Sequence, residues 1–197
     1  MEYRLCPEHP LPAGVDDAIA LYQALLHHGV SSSQMMIMGD SAGGGLALLT
    51  LQSIIKHQLP VPRGIIVLSP WTDLSGSGES YKRNRKIDIM FRNMDEDDGM
   101  VKLMLGPNPS GLLANDSLFS PLFGSFEGFP PMYITVGTTE ILQDDARGIW
   151  KKAQEAGIDV SFEEGLHLMH VYPIFFSYFP EARQTLDYLR TWIEMHF

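Results

Sequence analysis

The chain of 197 residues carries a single cysteine, Cys6. No intramolecular disulfide framework can form, and a reducing compartment or a disulfide-free fold is expected. Basic side chains are also scarce, with 14 Lys and Arg against 24 Asp and Glu and a net charge of −10. That balance argues against nucleic-acid partners, whose phosphates are neutralised by Lys and Arg. No apolar run reaches the roughly 18 residues that would span a bilayer. The start, Met1-Glu2-Tyr3-Arg4-Leu5, lacks the basic flank and apolar centre of a secretory signal. A cytoplasmic chain without a transmembrane segment is the expectation. Nucleotide-binding loops are missing too: no lysine follows the glycines as in a P-loop, and there is no G-x-G-x-x-G with a later acidic residue.

What is present suits a packed globule, with 45% apolar and 19% charged residues. The length fits one domain over 1–197 that needs no metal or disulfide staple. Glu2–Leu5 reads as a strand and Pro7, Pro10 and Pro12 as a non-helical turn. Val15, Ala18, Ile19, Tyr22, Leu25 and Leu26 recur at helical spacing ahead of Gly29, giving a helix over 13–28. Gln34–Met38, Gly64–Leu68, Met132–Val136 and Ile158–Phe162 are short apolar strands, and helices are expected over 42–57, 145–156 and from Pro180 onward. Asp144 is expected to cap the helix at 145. Strands without alternation, joined by helices, mean an α/β fold: a parallel sheet covered by helices on both faces. Residues 72–117 break the pattern and read as a cap insertion, with Asp95, Glu96, Asp97 and Asp98 opening a helix through Val101–Leu105.

Gly39-Asp40-Ser41-Ala42-Gly43 is a G-x-S-x-G between a strand and a helix. That context aims a serine hydroxyl from a sharp bend at the sheet's end. Small flanking residues let strand and helix approach, and the helix N-terminus turns the Ala42 amide toward a developing oxyanion. A serine hydroxyl needs a base, and the base an orienting carboxylate, which in this chain order follow the serine as acid and then histidine. Among seven histidines, only His167 and His170 fall in a loop past the last strand. His170 is favoured by its apolar neighbour Met169 and the turn at Val171-Tyr172-Pro173, with His167 as the alternative. For the acid, Glu140 sits at the carboxyl end of a strand, where sites on open sheets form. Asp144 is the alternative, and Asp144 and Asp145 are otherwise explained as helix-start residues.

Glu2-Tyr3-Arg4-Leu5-Cys6-Pro7-Glu8-His9-Pro10 together with Gly39-Asp40-Ser41-Ala42-Gly43-Gly44 resembles the hormone-sensitive-lipase group of α/β hydrolases, also called α/β-hydrolase fold-3. Ser69-Pro70-Trp71-Thr72-Asp73-Leu74, Ser120-Pro121-Leu122 and Pro130-Pro131 are further landmarks of that group. The resemblance implies an α/β-hydrolase fold and hydrolysis of small carboxylic esters through an acyl-enzyme, without cofactor or metal. Ser41 would be the nucleophile, His170 the base and Glu140 the acid, standing where the family commonly has Asp. It also implies structural roles for Arg4, Glu8 and Asp17.

The family's His-Gly-Gly-Gly segment, which supplies most of the oxyanion hole upstream of Tyr-Arg-Leu, does not occur here. The chain is therefore expected to be the C-terminal part of an esterase domain, truncated at its N-terminus and impaired in turnover. The Met35–Met38 strand would become an exposed edge through which copies associate. A second function class stays open: a non-catalytic hydrolase-like module binding an apolar ligand or partner, its pocket lined by Met90, Phe91, Met94, Met100 and Met104. A peptidase using the same residues is a third.

Overall fold

The computed structural model describes residues 1–93, 99–107 and 111–197. Four parallel strands form one sheet in the order β1 (Met36–Asp40), β2 (Gly64–Leu68), β3 (Met132–Gly137) and β4 (Val160–Gly165). β2 and β3 are buried along their whole length, as strands covered on both faces must be. Successive side chains on them divide two cores. Ile65, Val67, Ile134 and Val136 meet α2 (Ser41–Lys56) and α5 (Gln143–Glu155), whereas Ile66, Leu68 and Tyr133 meet α6 (Pro180–His196). Helix α1 (Ala13–His27) packs on α2 through Tyr22 and Ile54. The periodic apolar positions in the sequence are the ones buried, because a helix gains tertiary stability only along its apolar stripe.

Glu2–Leu5 forms no strand. A strand needs a partner for its ladder groups, and no strand of the described residues lies beside it. Arg4 instead clasps Asp17, with its backbone N–H 2.9 Å and its guanidinium 2.7 Å from the carboxylate, which ties this segment to α1. Between β2 and β3 the chain runs through α3 (Ser80–Arg83) and α4 (Gly99–Leu105) without adding a strand among the described residues. The acidic group Asp95–Asp98 lies outside those residues. No helix of the described residues is long and apolar enough to cross a membrane.

Among the described residues β1 is an outer strand, paired only with β2. On the α6 side of the sheet Met36 of β1 still packs against that core, but Met38 is 55% exposed and leaves the end of β1 open. Unpaired ladder groups beside apolar surface template pairing with another chain. Concentration-dependent association is expected in sedimentation, and Met38→Lys should weaken it roughly tenfold by charging the edge.

Candidate active site

The site is built where β1, β2, β3 and the loop after β4 end together. β1 passes directly into α2 at Ser41, whose φ of +52° lies in the left-handed region. Such a conformation in a non-glycine residue costs energy and is held by its surroundings. Here Ser41 C=O accepts from Trp71 N–H at 2.9 Å. A Cβ at Gly39 would fall 2.1 Å from Gly43 O, whereas one at Gly43 would meet nothing within 4 Å. The sequence pattern put both glycines under steric constraint; only Gly39 is.

Ser41 Oγ lies 2.9 Å from His170 Nε2, and His170 Nδ1 lies 2.6 Å from Glu140 Oε2. The imidazole and the carboxylate are buried. The structure thus brings Ser41, His170 and Glu140 together in one hydrogen-bonded line. With the carboxylate accepting from Nδ1–H, the tautomer that leaves Nε2 free to accept from the serine is favoured. Ala42 is the second residue of α2, so its N–H has no intrahelical acceptor and stays available. His167 is exposed, and its backbone N–H donates to Thr138 Oγ1 at 2.7 Å.

Glu140 is tied from several directions. Its second oxygen, Oε1, accepts from Ser69 Oγ at 2.7 Å and from Gly137 N–H. Its backbone carbonyl accepts from Asn84 Nδ2 at 2.7 Å. The next amide, Ile141 N–H, donates to Asp88 Oδ2 at 2.8 Å. The other oxygen of Asp88 accepts from Met90 and Phe91 N–H at 2.9 and 3.2 Å, and the Phe91 ring meets the His170 imidazole edge-on with centroids 5.0 Å apart. Sequence reading missed Asn84 and Asp88, whose roles rest on contacts more than fifty residues away. Ser69 was visible only as part of the Ser-Pro-Trp landmark.

Asp144 and Asp145 do not take the local roles expected of them. The helix begins at Gln143, after a Leu142 cap with no side-chain bond. Asp144 accepts from Ser80 N–H at 2.7 Å and pairs with Arg83 at 3.2 Å. Asp145 is buried beneath the start of the segment between β2 and β3, where it accepts from Thr72 and Asp73 N–H at 2.7 and 2.9 Å. In both cases a distant backbone donor outcompetes the helix's own first turn.

Beside Ser41 and Ala42 opens a cavity of about 790 Å³. Its walls include Leu46, Trp71, Leu74, Phe91, Met100 and Met104. Met90, expected there, is 53% exposed and not part of the wall, and Met94 lies outside the described residues.

Comparison with known proteins agrees with this architecture. A family model described as alpha/beta hydrolase fold matches residues 1–174. The chain belongs to that family. An acetyl-hydrolase of Streptomyces hygroscopicus is 36% identical over 97% of this chain and 64% of its own length. An esterase of Acinetobacter venetianus is 34% identical over 94% of the chain and 60% of its own. The crystal structure of an esterase from the bacterial hormone-sensitive lipase family superposes with a TM-score of 0.89 at 34% identity, over 99% of this chain and 64% of the other. A crystal of EstE5 soaked with p-nitrophenyl butyrate gives a TM-score of 0.85 at 36% identity, over 93% and 60%. This member of the α/β-hydrolase family thus spans less than two thirds of the length of these relatives.

Two stability effects follow from this packing. Gly39→Ala should lower folding stability by about 2 kcal/mol or more in urea unfolding, since the added methyl meets rigid backbone. Burial, opposed by the Thr72 and Asp73 amides, pushes the Asp145 carboxyl from 3.8 up to about 7. A folded-state value above the unfolded one means that its stabilisation is complete below 3.8 and lost as pH rises through about 7. Asp145→Asn, which cannot ionise, should show a shallower fall in stability between those two pH values than the parent.

Proposed function

We propose that this chain is the core of a serine carboxylesterase that cleaves small carboxylic esters through an acyl-enzyme. The observation that carries the reading is the hydrogen-bonded line from Ser41 Oγ through His170 to buried Glu140. As the serine oxygen attacks the ester carbonyl, its proton passes to His170 Nε2 and a tetrahedral oxyanion forms. Glu140 stabilises the resulting imidazolium and holds the ring. His170 then gives the proton to the departing alcohol as the C–O bond breaks, leaving an ester between Ser41 and the acyl group. Water, deprotonated by the same imidazole, attacks that ester and releases the carboxylic acid and free serine.

The Ala42 amide, at the start of α2, is a donor for the oxyanion, and losing one donor of such a hole typically costs ~100–1000-fold in turnover. The similarity to an acetyl-hydrolase and to an esterase supports short acyl groups. Glutamate in place of aspartate is compatible with the role, since its carboxylate lies 2.6 Å from the imidazole. The excess of acid and the single cysteine favour a cytoplasmic setting.

A second reading, a non-catalytic module, draws on the cavity wall of Phe91, Met100 and Met104. Adaptable thioether and aromatic side chains suit an apolar ligand. Saturable binding of an ester analogue without turnover would support it over the enzyme.

A fluorophosphonate probe and p-nitrophenyl butyrate test the esterase reading. The probe is expected to label the protein, and Ser41→Ala to abolish labelling. His170→Ala should slow both labelling and hydrolysis by ~1000-fold or more. Labelling of the parent no faster than that of Ser41→Ala would overturn the reading.

A further inference from the structure

Ser69 occupies the first position after β2, the strand that separates β1, which leads into Ser41, from β3, which leads to Glu140. It has no place in the relay described above, yet it is completely buried and its hydroxyl is bonded twice. Its Oγ donates to Glu140 Oε1 at 2.7 Å and accepts from Val171 N–H at 2.9 Å. Val171 directly follows His170. Both Ser69 and Val171 have left-handed backbones, with φ of +46° and +50°, and conformations of that kind persist where surrounding bonds fix them.

The pairing has a chemical logic. A carboxylate accepts only and a backbone N–H donates only, so a small group joining the two must do both. A hydroxyl meets that requirement within the volume of a serine; an alanine would leave a buried amide and a carboxylate lone pair unpartnered. We propose that Ser69 is a positioning residue that locks the acid and the base of the relay into register. By engaging Oε1 it leaves Oε2 to face His170 Nδ1, and by holding the Val171 amide it fixes the backbone from which the imidazole projects. The inference rests on the Ser41–His170–Glu140 reading, because the register matters to chemistry only if that relay operates.

Ser69→Gly and Ser69→Ala, each in the full chain, separate the hydroxyl from the backbone. Glycine adopts φ of this sign without strain, so Ser69→Gly keeps the turn while losing the whole hydroxymethyl group, and it remains testable where Ser69→Ala, which loses the hydroxyl alone, fails to fold. Fluorophosphonate labelling of Ser69→Gly should be ~10–100-fold slower than that of the parent, the scale expected of a small misplacement of catalytic groups. The Nδ1–H proton of His170, in the 2.6 Å bond to Glu140 Oε2, should give a shifted or broadened resonance in Ser69→Gly, a readout that needs no turnover. A folded Ser69→Gly with the parent's labelling rate and Nδ1–H resonance would overturn the proposal and reduce Ser69 to a turn residue. Failure of the relay itself reads differently: the parent would label no faster than Ser41→Ala, while the Nδ1–H resonance would still decide whether Ser69 sets the register.

Discussion

A carboxylate taken entirely out of water must be met by donors or it neutralises, and Glu140 is the place where that requirement organises the molecule. Ser69 and Gly137 donate to one of its oxygens and His170 faces the other. These partners come from the end of β2, the end of β3 and the loop after β4. Satisfying one buried charge therefore gathers three segments far apart in sequence. It also directs the imidazole toward the bend at Ser41, where the left-handed backbone projects the hydroxyl. The alignment of Ser41 with His170 and the packing of the sheet ends are consequently one problem, not two.

The segment between β2 and β3 belongs to the same arrangement. Asp145 pins its first residues through the Thr72 and Asp73 amides. Further along, Asn84 and Asp88 hold the carbonyl and the N–H of the peptide that follows Glu140, and the Phe91 ring meets His170 edge-on. The segment that walls the cavity is thereby bonded to the residues that would activate the serine. Variation in this segment cannot alter the cavity freely, because Asn84 and Asp88 also fix the acid loop.

Much of this was legible in the sequence because its signals are local. Val15, Ala18 and Tyr22 fall on one helical stripe and are buried, and Gly64–Leu68 is an unbroken apolar run that becomes a strand buried throughout. The motif at 39–43 is readable for the same reason: strand, bend and helix are contiguous. Local reading failed where the deciding partner is distant. Glu2–Leu5 has strand-like residues, but a strand is a property of a pair, and Arg4 takes Asp17 instead. Asp145 looks like a helix-start acid until Thr72, 73 residues away, supplies its donor. Asn84, Asp88 and Ser69 carry no periodicity at all; their importance exists only once the chain is folded.

The bonds that align Ser41, His170 and Glu140 come from the carboxyl ends of the strands, the loop after β4 and the segment between β2 and β3, and none of them comes from the open edge of β1. In the proposed reaction these bonds would activate the serine, and the Ala42 amide at the start of α2 would donate to the oxyanion. The two contributions act on different atoms, the serine proton in one case and the developing negative oxygen in the other. Attack on a phosphonylating probe and attack on an ester both ask for an activated nucleophile and for amides that meet the negative oxygen growing on phosphorus or carbon.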